Sequence, residues 1–165
     1  MSVNPPFPPT PTTHISPIVI SETQRLATAW CASFAANSPP ALSSIFTPDG
    51  EWIDHGFNIR RRGRSALETH YSLWMRANPD FTATITQFWP NETGGVIKYV
   101  GKGTMTGDLP SEKARGNAFE MVGLVEFVVR KEAGEGWLIE KIEELYRRDF
   151  WNSKKEEEYH FISKL

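Results

Sequence analysis

The sequence predicts an α+β domain in which three N-terminal helices lie against one strongly bent antiparallel sheet, making a cone with a cavity inside. Two observations carry that expectation. Apolar residues recur at helical spacing in segments between residues 21 and 77, and from residue 81 the pattern changes to period two, interrupted by Gly-containing turns. Helices first and a meander of strands afterwards pack as segregated layers, not as alternating βαβ units. At 165 residues the chain has room for one domain with a real core.

The first 17 residues contain six prolines and read as an extended arm. Ser21 with Gln24 three positions on suggests a capping box, and Leu26, Ala27, Trp30, Cys31 and Phe34 form one apolar face of a helix over 21–37. Pro39-Pro40 ends it, "ALSSIF" makes a short second helix, and "TPDG" turns into the short strand "EWIDH". After a loop "GFNIRRRG", Ser65 and Glu68 suggest a second capping box, opening a helix over 65–77 whose inner face holds Leu67, Tyr71, Trp74 and Met75. "NPD" stops that helix. Strands follow at "FTATITQFW", residues 95–106, "NAFEMVGLVEFVVRK" and "WLIEKIEELYRRDF", with hairpin turns at "NETGG" and "EAGEG" and a longer loop "GDLPSEKARG". The expected limits are an arm over 1–20, a globular domain over 21–151 and a charged tail over 152–165.

Composition narrows the function. The chain is 39% hydrophobic with ten Phe, six Trp and four Tyr, as in an aromatic-rich globular core. Its net charge of −2 gives no general attraction to nucleic acid or to an anionic membrane. No apolar run approaches the roughly 20 residues of a membrane span, and the start has no basic-then-apolar signal, so a soluble intracellular protein is expected. One cysteine, Cys31, excludes an internal disulfide and sits on an apolar helical stripe as inert core. The four histidines lack metal-ligand spacing, and neither a Gly-rich phosphate loop nor a Gly-x-Ser-x-Gly elbow is present, so no metal and no cofactor are expected.

Residues 52–81, "WIDHGFNIRRRGRSALETHYSLWMRANPDF", together with this order of elements, resemble the SnoaL-like branch of the nuclear-transport-factor-2-like (NTF2-like) superfamily. There a short strand carries polar pocket residues, here Asp54 and His55. A Gly-Arg pair, here Gly63-Arg64, opens a helix with an aromatic face, here Tyr71 and Trp74. A Pro-Asp-aromatic stop, here Pro79-Asp80-Phe81, leads into the meander, and "VIKYVGKGTMTG" is similar to the family's third strand. The resemblance covers about residues 21–150. It implies the cone-shaped NTF2-like fold, a homodimer through the convex sheet face, and a family hosting ketosteroid isomerase, scytalone dehydratase, polyketide cyclases, meroterpenoid isomerases and plain binding modules.

The candidate site is read within that frame. Phe119, Met121, Gly123, Val125 and Phe127 share one face of a strand, and Ile97, Tyr99, Gly101 and Gly103 share one face of its neighbour. If these faces line the cone, the cavity is apolar and Tyr99 is a pocket phenol. Adjacent residues point to opposite faces, so one of Asp54 and His55 looks into the cone, with His55 favoured because imidazole titrates near neutrality. On the last strand the family's cyclases carry an acid/base Asp, and the matching stretch "IEKIEELY" offers Glu140, Glu143 and Glu144. Both faces of that strand are mixed, so periodicity does not choose; alignment favours Glu143. The resemblance then implies His55 or Asp54 as base, Glu143 as second proton-transfer group and Tyr99 as oxyanion donor. The wall would be Trp30, Phe34, Trp52, Tyr71, Trp74, Phe119 and Met121. His70 has a smaller claim on the pocket, as a residue one helical turn before Trp74.

Three functions fit this reading. The first is an isomerase, cyclase or dehydratase acting without cofactor on an apolar, carbonyl-bearing small molecule of specialised metabolism. The second is a non-catalytic module binding a hydrophobic ligand or a protein. The third is a peroxisomal enzyme of acyl thioesters, whose phosphates Arg60, Arg61 and Arg62 would bind at the cone mouth. The peroxisome enters because Ser163, Lys164 and Leu165 spell the address read by the peroxisomal import receptor. The expected location is the peroxisomal matrix, with the cytoplasm as alternative.

Overall fold

Helix α1 (Pro17–Ala35) begins four residues before the predicted Ser21, because Pro17 fits the first helical position, where its missing N–H is not needed. Residues 17–20 thus belong to the helix and not to the arm. The Ser21–Gln24 capping box does not form: Ser21 lies inside the helix and its hydroxyl donates to the Ile18 carbonyl at 3.1 Å. The computed structural model describes residues 14–106, 116 and 118–150, the last four by backbone alone. The proline-rich stretch 1–13, most of the loop "GDLPSEKARG" and the tail with Ser163, Lys164 and Leu165 lie outside the described residues.

Helix α2 (Pro39–Ser44) starts on the two prolines that were expected only to end α1, and the Ser38 hydroxyl caps it by accepting from Ala41 N. Strand β1 (Phe46–Asp54) absorbs the "TPDG" predicted as a turn. Strand β2 (Ile59–Arg62) occupies the predicted arginine loop and pairs antiparallel with β1. Helix α3 (Arg64–Ala77) is preceded by Gly63 at φ 83°, a left-handed conformation that suits glycine. The Ser65–Glu68 box is again absent: the Ser43 hydroxyl donates to Glu68, tying α2 to α3.

Four long strands complete the sheet: β3 (Thr82–Asn91), β4 (Gly94–Thr104), β5 (Ala118–Glu132) and β6 (Gly136–Phe150). The order is β2-β1-β6-β5-β4-β3, a curved, unclosed sheet. It is mixed where an antiparallel sheet was expected, since β1 runs parallel to β6 and every other pair is antiparallel. Between them the helices and the concave face bury Leu26, Trp30, Leu67, Phe127 and Ile142 almost completely. Each such side chain contributes about 1.5–3 kcal/mol by leaving water.

One irregularity positions the site. In the β5–β6 pair Val128 faces Lys141 but Val129 faces Ile139, so Glu140 is an extra residue on β6, a β-bulge. Upstream of it Ile139 points inward; downstream Ile142 does, and both are fully buried. A regular strand with Ile139 inward would have continued with Lys141 and Glu143. The bulge turns Glu144 and Tyr146 to the concave side in their place.

Candidate active site

The floor of the cone is built where β1 and β6 run side by side. Asp54 is the register partner of Glu144, and both are buried, 3% and 6% exposed. Glu144 Oε1 accepts from the Tyr99 hydroxyl at 2.5 Å and Oε2 from the Trp52 indole at 3.3 Å. Asp54 Oδ1 accepts from the Phe57 backbone N–H at 3.0 Å and Oδ2 from the Tyr146 hydroxyl at 3.3 Å. Two carboxyl groups thus sit side by side, each held by a phenol from the sheet.

Burial and the neighbouring Asp54 charge push the Glu144 carboxyl up to about 7, against the smaller opposing pull of its Tyr99 and Trp52 hydrogen bonds. Burial first, then the Glu144 charge, raises the Tyr99 phenol well above its ordinary value, so it is a donor throughout the physiological range. Glycine makes room for these phenols. A Cβ on Gly123, the cross-strand partner of both Tyr99 and Tyr146, would run into the Tyr99 ring, and one on Gly56 would run into Tyr146.

The walls are aromatic. Trp30, Phe34, Trp52, Tyr71, Trp74 and Met121 border the cavity as predicted; Phe119 does not, packing behind Phe81, which takes its place. His70 also reaches the cavity, its ring 4.3 Å from that of Trp52. Burial, with a smaller contribution from the Arg61 charge, lowers its imidazole to about 4, so it is neutral at physiological pH. The free volume between these groups is about 30 Å³, room for a water-sized molecule. A larger ligand needs the wall rings to turn, and His70 stands between the cavity and an open groove beside Arg61, Arg62 and Leu73.

The structure splits the predicted catalytic set. Asp54 and Tyr99 face the cavity. His55 and Glu143 face away from it and bond each other at 2.8 Å, their side chains 46% and 31% exposed. His55 fails to reach the cone because Asp54, beside Trp52, takes the inward parity of β1; Glu143 fails because of the bulge at Glu140. Of the arginines, Arg60 pairs with Glu51 at 3.4 Å and Arg62 with Asp49 at 3.8 Å, both acids on β1, while Arg61 borders the outer groove. Sequence reasoning did not single out Tyr146 and passed over Glu144. The signal for both was the spacing of Ile139 and Ile142, three apart in a strand, which no regular period of two explains.

A helix-backed curved sheet with a buried pair of acids at its narrow end is the architecture of a ligand-enclosing α+β cone. The chain belongs to the SnoaL-like domain family, which matches residues 27–135. That match stops one residue before β6, so Glu144 and Tyr146 lie outside it. Among solved structures, a hexachlorocyclohexane dehydrochlorinase, LinA type 2, superposes with a TM-score of 0.67 at 11% identity, covering 81% of this chain and 88% of that one. The epoxide hydrolase/cyclase-like enzyme SalBIII of pyran-ring formation in salinomycin gives 0.63 at 14% identity, with 79% and 97% covered. A ketosteroid isomerase-like protein from Erwinia carotovora atroseptica gives 0.58 at 18% identity, with 78% and 96% covered. No curated protein matches the chain. At these identities the likeness is one of fold.

Proposed function

We propose that this protein is an acid–base enzyme, an isomerase, cyclase or dehydratase, working without a cofactor on a small carbonyl-bearing molecule enclosed by the cone. The observation that carries the reading is the Asp54–Glu144 pair, two adjacent buried carboxyls of which one is pushed up to about 7. Groups whose environments separate their proton affinities divide naturally into base and acid near neutral pH. Asp54, as carboxylate, takes a proton from the carbon beside the carbonyl, and the C–H electron pair becomes the enolate. Glu144, protonated, gives a proton to a distal carbon, which isomerises the substrate, or to a departing hydroxyl, which leaves as water. A proton passing from Asp54 to Glu144 restores the starting state. The test is incubation of purified protein with metabolite extracts lacking it, followed by mass spectrometry. A product of unchanged mass, or one lighter by water, formed by wild type and not by Glu144→Gln, supports the reading. Equal product from both proteins refutes it.

The small free volume favours a second reading, a non-catalytic module whose cone is closed by its own rings. In that case ligand or partner binding would persist in Asp54→Asn and Glu144→Gln with no product at all. A homodimer belongs to either reading: Trp89, Val122, Leu124 and Leu145 on the outer sheet face are each at least 40% exposed, with Leu124 and Leu145 directly paired. Sedimentation should give a dimer for wild type and a monomer for Leu145→Glu; a wild-type monomer at high concentration would remove this part of the proposal.

A further inference from the structure

Two hydrogen-bond donors in the cone face no acceptor. Trp30 on α1 and Tyr71 on α3 are 1% and 2% exposed, both border the cavity, and neither the indole N–H nor the phenol oxygen has a hydrogen-bond partner. The contrast with the acid pair is sharp. Both oxygens of Glu144 and both of Asp54 already accept, from Tyr99, Trp52, the Phe57 N–H and Tyr146. Tyr99, expected to hold the oxyanion, has its hydroxyl committed to Glu144. What remains to recognise a ligand is donation from the helix side.

The two groups are neighbours. The indole comes close enough to the Tyr71 oxygen to oppose its upward shift, yet in a geometry that falls short of a hydrogen bond. Burial, followed by the Glu144 charge, keeps the Tyr71 phenol protonated well past its ordinary range, with the Asp54 charge a smaller cause. An indole N–H can only donate. Leaving such groups buried and unpaired costs stability, and phenylalanine at position 71 would avoid the cost with the same ring. A site that presents donors only, at a place where protein acceptors are absent, suits an oxygen that accepts.

We infer that Trp30 Nε1–H and Tyr71 O–H form a two-donor clamp for an acceptor oxygen of the ligand, a carbonyl that gains charge as an enolate. This places the ligand between a donor pair on the helices and an acid pair on the sheet. As Asp54 takes a proton, negative charge moves from its carboxylate to the clamped oxygen, so the cone's total charge does not change. The enolate role rests on the acid–base reading above; the clamp as a binding site does not.

The probe is 4-nitrophenol, whose phenolate is yellow and carries the kind of charged oxygen the clamp should hold. Wild type should bind it with a larger phenolate fraction than free solution has at the same pH. Tyr71→Phe should weaken binding about tenfold or more, the loss expected for a hydrogen bond to a charged acceptor. The same variant should melt at or above the wild-type temperature, because it removes a buried oxygen that bonds nothing. Trp30→Phe should weaken binding similarly, while Asp54→Asn should leave it unchanged or strengthen it by removing a like charge. No binding to wild type, wild-type binding by Tyr71→Phe, or a clear drop in its melting temperature would each overturn the clamp. The acid–base reading fails separately: turnover that survives Asp54→Asn and Glu144→Gln would refute it while leaving the 4-nitrophenol result intact.

Discussion

Glu143 and Glu144 are neighbours on one strand, and their surroundings are opposite in every respect that matters to a carboxyl group. Glu144 faces the cone, pushed up to about 7 by burial and by Asp54. Glu143 faces water, where the His55 hydrogen bond and then that from Lys141 hold it below its ordinary range. Each has a partner on β1 in register: Asp54 with Glu144, Ile53 with Glu143, and His55 reaching across on the outer side. The residue types on the outer face look more like catalysis, a histidine bonded to a glutamate. The inner pair is the one that burial perturbs. Residue type nominates a site, and strand parity decides it.

The largest expected effect separates the two pairs by activity. Asp54→Asn and Glu144→Gln should each lower turnover by about 10²–10⁴-fold, the range of a lost general acid or base. His55→Ala and Glu143→Gln should stay within about twofold, since the groups lie outside the cone. A reversal, measured on any product the enzyme forms, would move the chemistry to the outer face.

The next effect is in stability, and the two glutamates should show opposite signs. A carboxyl raised on folding favours the folded state while protonated. The Glu144 contribution is therefore full below about 4.5 and lost as pH rises through about 7. Relative to wild type, Glu144→Gln should gain on the order of 3 kcal/mol between those limits, read from urea unfolding at a series of pH values. A depressed carboxyl acts the other way. The Glu143 contribution is present above its ordinary value and lost as pH falls, and its exposure limits it to about 1 kcal/mol or less. Parallel profiles for the two Gln variants would sink the contrast.

A smaller effect sharpens it. Gly123→Ala puts a methyl group against the Tyr99 ring, so it should cost about 1–3 kcal/mol through overpacking and loosen the phenol from Glu144. Ultraviolet resonance Raman or tyrosine absorbance should report the altered Tyr99 environment. An unchanged signal would mean that the ring does not depend on that glycine.

The order of elements and the inner faces of β4 and β5 were legible in the sequence because nothing interrupts their alternation. Ile97 and Tyr99 on one strand, and Met121, Val125 and Phe127 on the next, are buried as their spacing requires. Helix starts were misread where two signals competed. Ser-x-x-Gln and Ser-x-x-Glu match a capping pattern, but Pro17 and Gly63 open the helices earlier. The arginine stretch hid β2, since a strand paired on the sheet edge can be charged along its length. The site was half legible. Tyr99 and most of the wall follow from periodicity; Glu144 and Tyr146 depend on one extra residue, and an extra residue in a strand leaves no mark except a broken period.

That extra residue also defines where the chain tolerates a change of length. Removing Glu140 would shorten β6 by one position and erase the bulge, yet Ile139, Ile142, Glu144 and Tyr146 would fall naturally on one face of a regular strand. The loss would be confined to the contact between Glu140 and Arg130 on the outside. A one-residue deletion between Ile142 and Glu144 has no such refuge and would rotate the acid out of the cone. Glu140 thus behaves as an absorbed insertion, and the cone's chemistry is indifferent to it while depending on the frame it hands to the residues that follow.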